Sequence, residues 1–267
     1  MPTATLPTPA ALWFVRHGES AANVAREAAF ARDAEEVDMD VRDMDVPLSP
    51  LGERQATALG QWFAHRPAAE RPTVVIASPY QRARETAARI VAAGGTADGP
   101  LGDDERADDR LLLDERFREK ELGLYYRITY RGVQRRFPEQ WALRQELGLF
   151  YYRPPNGESG ADVAFRVRAG LDAVAREHAG ERVLVVCHQV TILCGRYVLE
   201  RMTEDELHRA WRAYDLANCS VTEYRPDAAH GGRLALRQLG FTVPVLSEGV
   251  PVTSEPHPTG GAPVGPA

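Results

Sequence analysis

One segment near the amino end reads Leu12-Trp13-Phe14-Val15-Arg16-His17-Gly18-Glu19-Ser20, an apolar run followed directly by charged and polar residues. Short runs of β-forming apolar residues are typical of buried strands, so this pattern predicts a strand that ends at Arg16-His17. A second run, Val183-Leu184-Val185-Val186-Cys187, is followed by His188 in the same way. Ligands of open α/β sheets bind at the carboxyl ends of the strands. We therefore expect His17 and His188 to meet at one edge of a sheet.

The composition is that of a globular protein with a full core. The chain has 267 residues, of which 44% are hydrophobic, and a net charge of −6 at pH 7. This length fits one large α/β domain, and the mild negative charge argues against nucleic acid as a partner. Three cysteines without a CxxC pair favour reduced, buried thiols and a cytoplasmic protein. No run is apolar enough to predict a membrane span, and residues 1–9 lack the pattern of a signal peptide.

Charge is unevenly distributed along the chain. Residues 27–45 contain eight acidic residues and two arginines, and they fit neither a helical nor a strand period. We interpret residues 27–46 as an acidic insertion, a loop or lid. Residues 116–153 contain nine basic and four acidic residues, and within them we interpret residues 124–156 as a basic helical insertion. A basic stretch suits a small anionic ligand, although solvated surface explains either stretch as well.

Strands and helices alternate between residues 11 and 247. Strands are predicted at residues 12–15, 74–77, 111–113, 183–187, 220–224 and 234–239. Helices are predicted after the cap-plus-proline pairs Ser49-Pro50 and Ser78-Pro79, over residues 131–147 with an interruption at Pro138, around residues 163–174, and from Thr191. Alternating βα units predict a single domain, a three-layer α/β/α sandwich with a mainly parallel mixed sheet. Residues 1–10 and 248–267 are predicted as a disordered lead and a disordered tail.

The residues at the predicted strand ends suit phosphoryl chemistry. A neutral imidazole whose other ring nitrogen is held as a donor can act as a nucleophile, and a phosphorylated histidine divides one difficult transfer into two easier ones. Arginine supplies paired donors for phosphoryl oxygens, and a protonated second histidine can stabilise developing charge. A carboxyl group can protonate the leaving oxygen and then activate water. The chain offers Arg16, His17, Arg82, His188 and glutamates near residues 113–123 for these roles.

Five short motifs follow one another along the chain. They are Arg16-His17-Gly18-Glu19-Ser20 with Asn23, Pro47-Leu48-Ser49-Pro50-Leu51-Gly52 with Gln55, Ser78-Pro79-Tyr80-Gln81-Arg82-Ala83 with Thr86, Asn156-Gly157-Glu158-Ser159, and Val185-Val186-Cys187-His188. In this order they resemble the motifs of the histidine phosphatase superfamily, the phosphoglycerate mutase-like proteins, from about residue 12 to residue 224. Phe117-Arg118-Glu119 and Phe150-Tyr151-Tyr152-Arg153 are similar to one branch of that family. A single Arg-His-Gly motif is weak, but five motifs in order are specific.

The resemblance implies a role for each matching residue. It implies that His17 accepts the phosphoryl group, and that four side chains bind this group, those of Arg16, Asn23, Arg82 and His188. The acid/base glutamate of the family stands four residues before a glycine, which implies Glu119, four before Gly123. Glu115 is the alternative, because Leu113-Asp114-Glu115-Arg116 resembles the motif of the true mutases.

Some residues depart from the family pattern, and others have no assigned role. Gln189 stands where many members have glycine after the second histidine, and Gly123-Leu124-Tyr125 replaces the common Trp-Glu-Gly. Both departures make it unsafe to transfer a substrate from one relative. Three arginines, Arg135, Arg136 and Arg153, are candidates for substrate contact, with a solvated helix face as the alternative.

The favoured function is a metal-independent phosphomonoester hydrolase that acts on a small phosphorylated substrate without a cofactor. A mutase that returns the phosphoryl group to a substrate is the first alternative, for which Arg135-Arg136 is only a loose counterpart of the paired arginines of true mutases. A non-catalytic phospho-ligand-binding regulator is the second, although the intact His17, Arg82 and His188 argue against it. A metallohydrolase is disfavoured, because no HExxH motif occurs and the arginines would repel a divalent cation. The oligomeric state stays open, and a homo-oligomer is compatible with the sequence.

Overall fold

The computed structural model describes residues 7–101, 106–213 and 216–254. Its strands are β1 (Ala11–Arg16), β2 (Val74–Ala77), β3 (Leu111–Leu113), β4 (Arg182–Cys187), β5 (Val221–Asp227) and β6 (Arg233–Phe241). Within the described residues these strands form a six-stranded sheet in the order β3-β2-β4-β1-β5-β6. Strands β1 to β4 are parallel to one another, and β5 and β6 pair antiparallel at one side. The prediction of a mainly parallel mixed sheet is confirmed.

Helices cover both faces of this sheet. They are α1 (Ala21–Ala31), α2 (Pro50–Ala64), α3 (Gln81–Ala92), α4 (Tyr130–Arg136), α5 (Pro138–Tyr151), α6 (Gly160–Glu177), α7 (Gln189–Glu200), α8 (Glu204–Ala213) and α9 (Val243–Ser247). Side chains alternate along a strand, so Leu12 and Phe14 of β1 pack with α6 and α7 while Trp13 and Val15 pack with α2 and α3. The chain is a single α/β domain of three layers, as predicted.

The position of β1 brings the two histidines together. This strand lies between β4 and β5, and its register pairs Arg16 with Cys187 of β4. His17 and His188 therefore follow two neighbouring parallel strands at the same sheet edge.

One of the two predicted cap-plus-proline helix starts is correct. Ser49 caps α2, because its side chain accepts a hydrogen bond from the Gly52 amide and Pro50 follows it. The prediction for Ser78 is wrong, since α3 begins only at Gln81. The Ser78 hydroxyl instead accepts a hydrogen bond from the Tyr80 amide and contacts the ring of His188.

The interpretation of residues 27–46 as an irregular insertion also needs correction. Residues 27–31 belong to α1, which begins at a capping box between Ser20 and Asn23. Residues 32–46, here called the acidic segment, are irregular apart from a 3₁₀ turn at Asp43–Asp45. The basic insertion is helical as predicted, and Pro138 begins α5 directly after α4 ends.

The predicted disordered ends are wrong for the residues that the structure describes. Thr253 accepts a hydrogen bond from the Asn218 amide at 2.7 Å, and Gln55 donates to the carbonyl of Pro251 at 3.0 Å. The Ala10 amide donates to the carbonyl of Glu181. A composition rich in proline and glycine does not reveal such backbone contacts. The rest of the two predicted disordered ends, residues 1–6 and 255–267, lies outside the described residues. Among the residues that the structure describes, no helix is long and apolar enough to cross a bilayer.

Candidate active site

His17 is held by the loop that follows β1. Its amide donates to the Cys187 carbonyl at 3.0 Å, and the amide of Gly18 donates to the hydroxyl of Thr86 at 3.0 Å. The ring atom Nδ1 lies 2.7 Å from the Gly18 carbonyl oxygen. A carbonyl can only accept, so in the neutral ring Nδ1 carries the proton and Nε2 carries the lone pair.

The surroundings of His17 keep the ring neutral. The side chain is 3% exposed. Burial first, and then the positive charges of Arg82 and Arg16, hold the pKa of His17 well below its ordinary value of 6.5. Both causes disfavour the imidazolium form. At neutral pH, His17 is therefore an uncharged imidazole with one available lone pair.

His188 lies beside His17, with ring centroids 5.1 Å apart. Its Nε2 lies 2.8 Å from the Ser78 hydroxyl, and its Nδ1 lies 3.6 Å from Oε2 of Glu119. Burial, followed by the charge of Arg82, holds the pKa of His188 well below 6.5. These surroundings favour the neutral ring, which still donates through one N–H. A protonated second histidine stays a prediction.

Arg16 is fixed by contacts from distant parts of the chain. Its side chain is 2% exposed, and one guanidinium nitrogen donates to the Leu216 carbonyl and to Oε1 of Gln189 at 2.9 Å. The glutamine that departs from the family pattern thus orients an arginine of the site.

Arg82 lies in the first turn of α3 and is 4% exposed. Its positive charge contributes to the lowered pKa of both His17 and His188. Its guanidinium carbon lies 4.9 Å from the ring centroid of Tyr80. One of its nitrogens contacts Asp43 of the acidic segment.

Of the two candidate acid/base residues, Glu119 lies at the site. Its side chain is 21% exposed and approaches His188, while Oε1 accepts a hydrogen bond from the Lys120 amide at 2.7 Å. Glu115 is exposed in a 3₁₀ turn. The geometry favours Glu119 because a proton donor must lie within reach of the reacting oxygen.

The backbone that carries Glu119 is held by one arginine whose side chain is 10% exposed. Arg166 of α6 donates to the carbonyls of Arg116, Arg118 and Glu119 at distances of 2.8–3.0 Å. The guanidinium also pairs with Glu158 of the Gly-Glu-Ser motif at 2.9 Å. This motif therefore supports the segment that carries Glu119.

The motif around Ser49 supports the loop that follows β1 and carries His17. Gln55 accepts a hydrogen bond from the Glu19 amide at 2.8 Å, and Ser49 donates to the Glu19 carboxylate. A Cβ on Gly52 would lie 1.9 Å from the Glu19 carbonyl oxygen, so only glycine allows this approach. Asn23 is 9% exposed, and its side-chain oxygen accepts from the amide of Ser20.

The three arginines proposed for substrate contact pair with carboxylates. Arg135 binds Glu35 at 2.9 Å, and Arg136 binds Glu36. Arg153 binds Asp162 at 2.6 Å. A role for them in substrate binding stays a prediction.

Sequence reasoning missed Ser78, Asp43, Arg166 and the use of Gln189. Ser78 stood in a quoted motif, but its cap-like position concealed its contact with His188. The other residues act across long sequence separations, such as the 173 positions between Arg16 and Gln189. Among the described residues, no group of three His, Cys, Asp or Glu side chains is arranged to hold a metal ion.

Comparison with known proteins identifies the family. The model of the histidine phosphatase superfamily (branch 1) matches residues 12–238. A protein named Probable phosphoglycerate mutase GpmB, from Yersinia enterocolitica, is 29% identical over 213 residues, which are 79% of this chain and 82% of that protein. The Bifunctional protein Rv2228c of Mycobacterium tuberculosis is 32% identical over 195 residues, 73% of this chain but only 48% of its own length.

Solved structures share the fold. YhfR of Bacillus stearothermophilus superposes with a TM-score of 0.66 at 24% identity, covering 88% of this chain and 98% of that one. The mycobacterial glucosyl-3-phosphoglycerate phosphatase Rv2419c, in complex with VO3, superposes with a TM-score of 0.60 at 20% identity, covering 86% and 98%. With the ordered motifs and the paired histidines at one sheet edge, these matches establish that the chain is an enzyme of the histidine phosphatase superfamily, branch 1.

Proposed function

We propose that the chain is a metal-independent phosphomonoester hydrolase that works through a phosphohistidine on His17. The observation that carries the proposal is the 2.7 Å contact of Nδ1 with the Gly18 carbonyl in a buried site. It leaves Nε2 as the nitrogen that can attack, and the lowered pKa keeps its lone pair free of a proton.

In the first step, the lone pair of His17 Nε2 attacks phosphorus and the bond from phosphorus to the ester oxygen breaks. Glu119 donates its carboxyl proton to the departing oxygen, so that a neutral alcohol leaves. Donors of Arg16, Arg82 and His188 stabilise the charge on the other phosphoryl oxygens. Asn23 adds a side-chain amide to this set.

In the second step, the Glu119 carboxylate removes a proton from water, and the water oxygen attacks phosphorus. The nitrogen–phosphorus bond breaks, its electron pair returns to Nε2, and inorganic phosphate forms. Glu119 is then protonated again and His17 is neutral. The two arginines supply the positive charge that a metal ion would bring to such a site.

A mutase-type transfer is the second candidate, because one relative is named a probable phosphoglycerate mutase. A mutase must hold a second substrate anion while the phosphoryl group returns. Arg135 and Arg136, only a loose counterpart of the paired arginines of true mutases, form ion pairs with Glu35 and Glu36. This pairing favours water as the acceptor.

The substrate in this proposal is a small phosphorylated molecule in the cytoplasm, with neither nucleic acid nor a membrane as partner and no cofactor. A reducing compartment is supported by Cys187, Cys194 and Cys219, which are free and buried. Burial raises the pKa of each thiol, that of Cys194 to about 12. Such thiols are unreactive.

The test is a screen of sugar phosphates, phosphoglycerates, nucleotides and phosphopeptides with wild type and His17→Ala. We expect phosphate release by wild type only, survival of activity after exhaustive chelation, and acid-labile phosphate on His17 in acid-quenched turnover. His65→Ala is the matched control, since the His65 side chain is 73% exposed. Turnover by folded His17→Ala would overturn the mechanism, and phosphoryl transfer to a second phosphoglycerate without phosphate release would favour the mutase. Phosphate binding without turnover of any substrate would favour the regulator.

A further inference from the structure

The carboxylate of Asp43 contacts Arg82, the arginine proposed to bind the phosphoryl group. Oδ1 of Asp43 is 3.0 Å from a terminal nitrogen of Arg82, and the same nitrogen donates to the Asp43 carbonyl at 2.6 Å. The side chains of Arg82 and Asp43 are 5% and 14% exposed. Solvent therefore screens this ion pair only weakly.

Other acids near Asp43 have partners outside the catalytic group. Asp33, Glu35 and Glu36 pair with Arg131, Arg135 and Arg136 of the basic insertion. Asp45, two residues after Asp43, pairs with Arg42 at 2.7 Å on the surface.

The acidic segment is fixed in this position by the basic insertion. The Val41 carbonyl accepts hydrogen bonds from the Tyr126 hydroxyl at 2.8 Å and from Arg127 at 3.2 Å. The amide of Val37 donates to the Arg127 carbonyl at 2.9 Å. We call residues 32–46 together with residues 124–136 the cap. Its contacts hold Asp43 against Arg82.

We propose that Asp43 is a built-in competitor that weakens the binding of phosphate groups to Arg82. A phosphoryl dianion on this guanidinium either replaces the Asp43 carboxylate or binds next to it. In the first case the ion pair must break, and in the second case two anions lie close together in a buried site. Both cases lower the affinity, and a nearby charge typically shifts an ionic equilibrium by roughly tenfold or more.

Asp43 also contacts Arg82 in a way that does not depend on its charge. The carbonyl of residue 43 continues to hold the guanidinium when the side chain is changed, so Arg82 keeps its position in a neutral variant. Loss of the carboxylate then removes the competing negative charge but keeps the hydrogen bond from Arg82 to the carbonyl of residue 43. The consequence for turnover is that the carboxylate promotes release of the product phosphate.

The test measures binding of inorganic phosphate by isothermal titration calorimetry. Asp43→Asn should bind phosphate about tenfold more tightly than wild type, whereas Asp43→Glu, which keeps the charge, should bind as weakly as wild type or more weakly. Asp45→Asn is the matched control, with the same charge change in the same turn, and its Kd should stay within about twofold of the wild-type value because exposed charges interact weakly. Circular dichroism verifies that each variant folds.

Equal or weaker binding by Asp43→Asn, or no binding at all, would overturn the inference, as would equal tightening by Asp45→Asn. If Asp43→Asn does not fold, Asp43→Ala takes its place, and equal or weaker phosphate binding by Asp43→Ala than by wild type would overturn the inference as well. The inference rests on the proposed role of Arg82 but needs no turnover. If Asp43→Asn binds phosphate more tightly but wild type hydrolyses no substrate, the proposed function is wrong and the inference stands. If wild type hydrolyses a substrate but Asp43→Asn binds phosphate no more tightly than wild type, the inference is wrong and the proposed function stands.

Discussion

The edge of the sheet and the cap hold their charged side chains in opposite ways. At the sheet edge, Arg16 and His17 are almost completely buried and bonded to backbone carbonyls. In the cap, Arg135 and Arg136 are about half-exposed and pair with carboxylates that are 37% and 65% exposed. Backbone contacts in a buried site fix geometry, whereas exposed ion pairs contribute little stability. Chemistry should therefore be sensitive to changes at the sheet edge and tolerant of changes in the exposed ion pairs of the cap.

Among changes that leave His17 in place, the largest effect is expected at Glu119, the proposed acid/base residue. Glu119→Gln should slow hydrolysis of alkyl phosphates by about 10²–10⁴-fold, because an alkoxide leaves poorly without a proton. Aryl phosphates should be affected much less, since a phenolate is a good leaving group. Steady-state kinetics on a matched alkyl and aryl pair measures this difference. Glu115→Gln is the control, and the same pattern in that variant alone would move the acid/base role to Glu115.

The next effect tests whether the site at the sheet edge needs the shape of the Arg82 guanidinium as well as its charge. Arg82→Lys keeps the positive charge but loses the planar fork that holds two oxygens. We expect the transition state to lose about 2 kcal/mol or more of stabilisation, which lowers kcat/KM roughly 30-fold. Arg84→Lys, an exposed change on the same helix, should leave kcat/KM unchanged. A near-normal Arg82→Lys enzyme would separate Arg82 from the chemistry.

A change at Gly52 tests the packing of α2 against the loop that carries His17. In Gly52→Ala the new methyl group would meet the Glu19 carbonyl oxygen at 1.9 Å, so α2 and the loop that carries His17 must move apart. Overpacking of this kind costs about 1–3 kcal/mol of unfolding free energy. Urea unfolding measures the loss, with Arg54→Ala on the exposed side of the same helix as control. Stability equal to wild type would show that the loop can shift freely.

The two buried imidazoles predict how stability depends on pH. Their pKa values are lowered in the folded chain, so the unfolded chain binds more protons below the ordinary value of 6.5. Stability is then fully present above that pH and falls as the pH drops through it, by at most about 1.4 kcal/mol per pH unit for each ring. Urea unfolding between about pH 5 and pH 8, above the carboxyl range, should show a smaller slope in His17→Ala than in wild type. A flat wild-type profile would contradict the neutral assignment.

The smallest effect is expected in the cap. Arg135→Gln removes an ion pair whose side chains are 57% and 37% exposed, which is worth about 0.2–1 kcal/mol or less. Thermal unfolding should barely change, and KM for the substrate found in the screen should stay the same. A marked rise in KM, with stability preserved, would instead support the role in substrate binding that the sequence suggests for Arg135.

Local signals explain which features the sequence could reveal. Apolar runs ending at His17 and His188 predicted neighbouring strand ends, and Ser49-Pro50 predicted the start of α2, because each depends on residues adjacent in the chain. The same signal failed at Ser78, where a hydroxyl that looks like a helix cap lies 2.8 Å from His188 instead. The contact of Asp43 with Arg82 could not be predicted, because the path of an irregular segment leaves no periodic pattern.

The placement of β1 has a consequence for how the chain folds during synthesis. The first strand is complete at residue 16, yet its neighbours are β4 and β5, and Arg16 bonds to a carbonyl 200 positions further along. Contacts of such long sequence separation form slowly. The apolar residues 12–15 therefore emerge from the ribosome long before any partner strand exists. In this interval they are exposed apolar residues, which are prone to aggregation and which chaperones protect. The loop that carries His17 is assembled only after residue 216 and strand β5 have been made.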